Sequence, residues 1–405
     1  MQCLPHLCYP IYCFAAYSRR VEDIPESAQG GEYFALLRKP KVTASFLRYP
    51  ANTHFDVKIE LRAIHVVGIL ILVVVEGSVL VPGISATPSL LPLSTNGTSI
   101  VDSAGRIVML RGVNYPGYGR DHPELHNSAA YKTLSTGFGF NVVRLPISWA
   151  NLEPQQGVFN STYLSSFVDR DVQWASSAGV YVVLDMHQDN WAQRFGGSGA
   201  PDWAVQQYPP NETGMRMAVS EFWANTELQD HLVQVWVNIA QHFAHNPTIA
   251  GYDLLNEPWI YTSVIAQLNG TAVDAFYSRT VQAIRAVDSN HIIFLEPANM
   301  NTLNLPTSAN IVWPPHFYQL SFSHEYDAQN FTELERAFIA QRNKYVNGFG
   351  VPMWIGEFGS FMPDNLSRAI WTQDALTLFN RYQVGWAWWA YNGNYTSIPD
   401  QLYVR

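Results

Sequence analysis

The sequence predicts an α/β protein folded as a (β/α)8 TIM barrel, and three observations carry that prediction. From Ile107 onward short apolar runs alternate with longer amphipathic segments. Eight such runs occur, and together they span about 300 residues, the size of one barrel domain. The barrel is therefore assigned to residues 100–395, preceded by a non-barrel N-terminal extension and with no C-terminal β-sandwich. A doubly wound open sheet is the alternative, but no glycine-rich turn follows the first run to hold a dinucleotide.

Taken in order, the strand candidates are Ile107–Val113, Asn141–Leu145, Val180–Asp185, Ala250–Asn256, Ile292–Glu296, Ile311–Tyr318, Met353–Glu357 and Val384–Trp389. Helical segments fit between them at Tyr163–Ser177, Leu228–His242, Val273–Val287, Glu333–Tyr345 and Leu366–Tyr382. The longest connection, Gln188 to about Thr226, follows the third strand and holds Gly196-Gly197-Ser198-Gly199, Pro201, Trp203, Pro209 and Pro210. A compact barrel has no structural need of such a loop, so it reads as a lid or a substrate wall. It is not a phosphate loop, because no Lys-Ser/Thr follows, and Ser198 is not a hydrolase elbow, because Ala200 stands where the second glycine is required. After Trp389 only 16 residues remain, none forming a convincing eighth helix, so the C-terminal end of the barrel is expected to be truncated.

Composition narrows the partners. A formal charge of -9 with 24 Lys and Arg argues against nucleic acid, whose phosphates demand a basic face. The 13 Trp, 21 Tyr and 21 Phe are numerous and suit sugar rings, although core packing accounts for most of them. Cys3, Cys8 and Cys13 all lie at the N-terminus in a spacing that matches no usual zinc pattern, so the body has no disulfide. His242 and His245 are three apart on a predicted helix without an adjacent third ligand, and no metal is assigned.

Asn96, Asn160, Asn211, Asn269, Asn330, Asn365 and Asn394 each begin Asn-X-Ser/Thr, which implies a secreted or lumenal glycoprotein. The run Val66–Val75 follows Lys58 and Arg62 and precedes the small residues Ser85 and Ala86, much like a signal peptide within a hydrophobic segment 61–86. No Met stands between Met1 and Met109, so two readings remain. Either residues 63–85 are a signal anchor with a cytoplasmic tail, or a signal peptide is preceded by wrongly included sequence. Glu76 interrupts the apolar stretch and favours secretion over anchoring. Residues 1–60 have no assigned role.

The chemistry is carried by two strand ends. Leu254-Leu255-Asn256-Glu257-Pro258 and Trp354-Ile355-Gly356-Glu357-Phe358-Gly359 each finish an apolar run with one carboxylate, which places both acids at the rim where barrel loops open into a cleft. Two facing acids are what glycosidic cleavage needs: one protonates the leaving oxygen, the other attacks the sugar carbon. Pro258 stops the ladder and permits a bend, so Asn256 and Glu257 can both reach the cleft. Arg144 closes the second strand and supplies a fixed charge. His187 lies between Asp185 and Asp189 at two-residue spacing, and the three share a face if the strand continues. His316 and Tyr318 form a similar pair on the sixth strand, while Trp389 supplies an aromatic floor and Trp386 and Trp388 are core.

On these residues the chain resembles glycoside hydrolase family 5 over roughly residues 100–395. The resemblance implies a retaining β-glycosidase without cofactor or metal, with the acid/base on Glu257 in Leu-Asn-Glu-Pro and the nucleophile on Glu357 in Gly-Glu-Phe-Gly. Arg144 in Val-Arg-Leu-Pro, His187, Asn256, His316, Tyr318 and Trp389 fall on the family's other active-site positions. Leu184-Asp185-Met186-His187-Gln188-Asp189, Gly199-Ala200-Pro201-Asp202-Trp203 and Trp386-Ala387-Trp388-Trp389-Ala390-Tyr391-Asn392 are most similar to endoglycoceramidases. That likeness implies a glycolipid substrate cut between oligosaccharide and ceramide, Gln188 and Asp189 touching the sugar next to the lipid, and association with a membrane surface through the lipid or the N-terminal apolar segment. An endo-β-glucanase, a glucosidase acting on glucosylceramide or steryl glucoside, and a non-catalytic glycan-binding barrel are the alternatives.

Overall fold

The computed structural model describes residues 89–116, 126–258, 271–296 and 310–392; the expectations for residues 1–60 and 61–86, and for Asn269 and Asn394, fall outside them. The chain enters through a hairpin, β1 (Leu93–Asn96) and β2 (Ser99–Asp102), turned at Gly97 with φ 56°. Parallel strands follow: β3 (Arg111–Asn114), β4 (Val142–Ile147), β5 (Tyr181–Met186), β6 (Ile249–Asp253), β7 (Ile292–Phe294), β8 (Ile311–Val312), β9 (His316–Phe317), β10 (Trp354–Phe358) and β11 (Gly385–Trp388). They hydrogen-bond in the order β8-β7-β6-β5-β4-β3-β11-β10-β9.

That order describes a closed barrel of eight staves, because its two ends belong to one stave. The predicted sixth strand, Ile311–Tyr318, is interrupted by Pro314 and Pro315, which lack the N–H a ladder needs. Its lower half, β8, pairs with β7, and its upper half, β9, pairs with β10 with Glu357 opposite His316. Between them Trp313 pairs with Met353.

Alternation along each stave separates two environments. Val143, Leu184, Ile293 and Ile355 point outward into the large core beneath the helices, whereas Val142, Val183, Phe294 and Trp354 fill the barrel interior. Leu93 and Ile100 of the hairpin join that interior cluster and close the lower end. One step above the inward apolar residues stand Arg144, Asp185, Asp253 and Glu296, all fully buried. Period-two spacing thus delivers a polar layer to the upper mouth.

The helices that cover the staves include α1 (Ser128–Thr136), α2 (Asp169–Ala178), α3 (Glu212–Ala224), α4 (Thr226–Phe243), α5 (Thr271–Arg285), α6 (Phe331–Arg342) and α7 (Asn365–Arg381). Asn127, Asn211, Asn225 and Asp364 cap four of them by accepting a backbone N–H. The long connection after the third stave contains a helix. It is not a bare lid: α3 lies within it and buries Met215, Ala218, Val219, Phe222 and Trp223 in the core, and Trp203 donates its indole N–H to the Glu153 carbonyl at 2.9 Å.

Candidate active site

Arg144 organises the mouth. A guanidinium has five N–H donors, and each has a partner: Nε donates to Asp253 at 2.9 Å, Nη1 to Asn114 at 3.0 Å and Glu357 at 2.8 Å, and Nη2 to Asn256 at 2.9 Å and Glu296 at 2.8 Å. Asp185 adds an ion-pair contact at 3.0 Å. Burial opposes this charge, but the surrounding carboxylates outweigh it and hold the guanidinium well above its ordinary value. Burial among Glu296 and Asp185 pushes Asp253 far above the usual carboxylate range despite Arg144.

Glu357 reaches the mouth through a local irregularity. Ile355 and Phe358 pair with Trp386 and Trp388, so three steps on β10 oppose two on β11. Ile355 and Phe358 both face outward, and the extra residue re-aims Glu357 inward, the usual service of a bulge beside a functional group. Gly359 then passes so near β11 that a Cβ there would lie 2.8 Å from the Trp389 carbonyl. Besides Arg144, the Tyr318 hydroxyl donates to Glu357 at 2.9 Å.

Glu257 is turned into the cleft by its own backbone, with φ 44°, a left-handed conformation that costs a non-glycine residue about 1–3 kcal/mol. Its N–H donates to Glu296 Oε2 at 2.9 Å, and its carbonyl accepts from Gln188 Nε2 at 3.1 Å. The bend thus lies at Glu257 itself. His316 Nδ1 stands 2.7 Å from Glu257 and 3.5 Å from Glu357, with Nε2 3.1 Å from Glu296. Burial raises both glutamates: in Glu257 His316 overcomes that and lowers the carboxyl, whereas Glu357, beside the Glu257 charge, stays raised in spite of His316 and Arg144. Burial lowers His316, but Glu296, Glu357 and the Glu257 hydrogen bond outweigh it and raise the imidazole well above its ordinary value.

The other predicted residues divide. Asn256 accepts from Arg144 and donates to the Gln188 carbonyl at 3.0 Å. His187 shares a 2.7 Å hydrogen bond with Asp185 and stacks on Trp389 with ring centroids 5.3 Å apart and planes 9° from parallel. Asp189 is not on the Asp185–His187 face as expected: β5 ends at Met186, and Asp189 lies exposed on the following loop with its backbone paired to Ser198. Gln188, expected to touch sugar, is buried with its amide hydrogen-bonded to Asn256, Glu257 and Trp191 backbone groups. Asn114, Asp253 and Glu296 were not predicted. Glu296 had a signal, since Leu295-Glu296-Pro297 repeats the apolar-Glu-Pro ending of Glu257.

Glu257, His316 and Glu357 each present one ligand-type atom, all within 4.8 Å of one another. The His316–Glu257 hydrogen bond and the 3.5 Å ion pair of His316 with Glu357 account for that closeness, and carboxylate oxygens this near fall on the side of retaining glycosidases, roughly 5–5.5 Å apart, and not of inverting ones, roughly 6.5–9.5 Å apart.

A (β/α)8 barrel with such a pair at its mouth defines a glycoside hydrolase of the retaining class. The profile of the cellulase family, glycosyl hydrolase family 5, matches residues 101–395, and the chain belongs to that family. It is 28% identical over 361 residues to endoglycoceramidase I of Rhodococcus hoagii (strain 103S), covering 78% of this chain and 70% of that protein. The crystal structure of an endogalactoceramidase aligns with a TM-score of 0.63 at 27% identity over 74% of this chain and 75% of its own. Endo-glycoceramidase II from Rhodococcus sp., in complex with ganglioside GM3, aligns with a TM-score of 0.63 at 25% identity over 73% and 76%.

Proposed function

We propose that this protein is an endoglycoceramidase, hydrolysing the β-linkage between the oligosaccharide and the ceramide of glycosphingolipids with retention of configuration. The observation that carries the mechanism is the approach of Glu257 and Glu357 oxygens to within 4.8 Å. Glu357 attacks the anomeric carbon, while Glu257 protonates the departing ceramide oxygen. Glu257 then takes a proton from the water that releases the sugar. Glu257 ionised beside a charged His316 is equivalent in protons to protonated Glu257 beside a neutral imidazole, so His316 can supply the proton that Glu257 delivers. Positive charge developing at the anomeric carbon favours the ionised Glu357 that the attack requires. Arg144 and Tyr318 both donate to that carboxylate.

The apolar aglycone is supported by the loops above β9 and β10. Phe322 and Phe361 are 46% and 48% exposed and stack with centroids 4.8 Å apart and planes 2° from parallel. Each ring also packs against Tyr318, whose hydroxyl meets Glu357, so an apolar surface leads from solvent to the reacting carboxylate. The likeness to endoglycoceramidases points the same way. We also propose passage through the secretory pathway, since the sequons at Asn96, Asn211 and Asn365 lie exposed.

Mass analysis of products from a ganglioside, glucosylceramide and a soluble β-glucan tests the substrate. Intact oligosaccharide plus ceramide is expected from the ganglioside; cleavage of the β-glucan alone would reject the assignment. Glu257→Gln and Glu357→Gln are each expected to keep the melting temperature near that of the parent. Both should lose ganglioside turnover by at least about 100-fold, the scale of general-acid and covalent contributions, and unchanged turnover in either variant removes its role.

A further inference from the structure

We infer that Glu296 is a positioning residue for proton transfer, one buried carboxylate that sets both the backbone of Glu257 and the orientation of His316. This rests on Glu257 acting as the acid/base. Glu296 is fully buried at the end of the fifth stave, and its two oxygens have separate duties. Oε2 accepts the N–H of Glu257, the residue held at φ 44°. Oε1 lies 2.8 Å from Arg144 Nη2 and 3.1 Å from His316 Nε2. No other carboxylate among the described residues makes contact with the acid's backbone, the acid's imidazole and the nucleophile's guanidinium together.

An imidazole whose Nε2 faces a carboxylate keeps its proton on that nitrogen. Nδ1 is then the atom that exchanges a proton with Glu257 2.7 Å away. Turned over, the ring would lose this pairing. The φ of Glu257 matters equally, because an ideal strand would send Asn256 and Glu257 to opposite faces. Glu296 itself is steadied from α5, where the Tyr277 hydroxyl donates to its main-chain carbonyl at 3.1 Å.

The charged and titratable groups around this unit are Arg144 of β4, Asp185 of β5 with His187 just beyond it, Asp253 of β6, Tyr277 of α5, Glu357 of β10, and Glu257 and Tyr318 beside His316. The negative charge of Glu296 favours the proton held jointly by Glu257 and His316. Neutralising it therefore weakens that proton's hold and moves the alkaline limb of activity to lower pH.

The test is Glu296→Gln, nearly the same shape without the charge, assayed with two glycosides of the sugar that the product panel identifies. One carries 2,4-dinitrophenolate, which departs without a proton; the other carries an aliphatic alcohol, which does not. The variant is expected to lose kcat/KM at least about tenfold more on the alkyl glycoside than on the aryl one, part of the about 10²–10⁴-fold that a general acid contributes. Its alkaline limb should move to lower pH. Equal losses on both substrates with an unmoved limb, in a folded variant, would overturn the inference. If E296Q does not fold, Glu296→Asp must show the same dependence on leaving group, because the shortened side chain cannot hold both contacts, and an even loss rejects the proposal. Glu257→Gln run alongside separates the failures. If it shows the leaving-group dependence and the Glu296 variants do not, Glu296 alone loses its role; if it does not, the acid/base assignment itself fails.

Discussion

Arg144 has every N–H engaged inside the barrel, so its replacement by lysine, with three donors and no planar fork, leaves buried acceptors unpaired. Each unpaired acceptor costs about 1–3 kcal/mol. Arg144→Lys is accordingly expected to lower unfolding stability by about 2 kcal/mol or more and to depress kcat, as read by urea titration and ganglioside turnover; parental stability would contradict the network described. The pH profile follows from the same residues. Glu357 must be ionised to attack, and its value is raised, so kcat/KM should begin to fall at a pH above the ordinary carboxylate range as acid is added. The Glu257–His316 pair must hold its proton, and His316 is raised, so the alkaline limb should lie above the ordinary imidazole value. A profile whose acid limb lies at or below the carboxylate norm would refute the first statement. At this scale the sequence was readable where a residue ends an apolar run, as Glu257 and Glu357 do. It was silent for Asn114 and Asp253, because a polar residue that fits the inward alternation of a strand looks the same whether it meets solvent or a buried guanidinium.

Element by element, all eight predicted staves are present within a few residues of their expected ends. The hairpin β1–β2 and helix α1 have no counterpart among the expected elements, and two further differences have identifiable reasons. The apolar run of the sixth stave predicts one continuous strand, but Pro314 and Pro315 break its ladder into β8 and β9. Helix α3 is hidden in the sequence because the glycines and prolines just before it outweigh its apolar spacing, although Asn211 caps its start by accepting from Gly214. The packing of α3 gives the correction a test. Phe222 is fully buried and meets Trp149, Trp191, Trp223 and Phe276. Phe222→Ala should cost about 3–5 kcal/mol of stability, the range for emptying an aromatic site in a core. At a temperature where the variant is folded, KM for ganglioside should change little. A raised KM with parental stability would restore the lid.

For the molecule as a whole, the compartment can be checked from its surface. Asn96, Asn211 and Asn365 are exposed, whereas the Asn160 amide is held between Tyr163 N–H at 3.0 Å and the Asn151 carbonyl at 3.1 Å. Expression through a glycosylating secretory host should give glycan on the first three ahead of Asn160, measured by peptide mass before and after N-glycan removal; an unmodified product would count against the secretory proposal. Among the described residues no helix is long and apolar enough to cross a membrane.

The broken stave has a mechanical meaning for the whole cylinder. The backbone ladder between β7 and its neighbour ends with Leu295 donating to Val312 at 3.0 Å, and above that step β9 answers only to β10 among the described strands. Among the described residues the main-chain ladder at this seam therefore stops below the mouth, and above it the side chains of Glu296 and His316 stand 3.1 Å apart. There the seam is held by an ion pair between side chains instead of by main-chain hydrogen bonds, so any strain on it falls first on the two groups on which proton delivery turns.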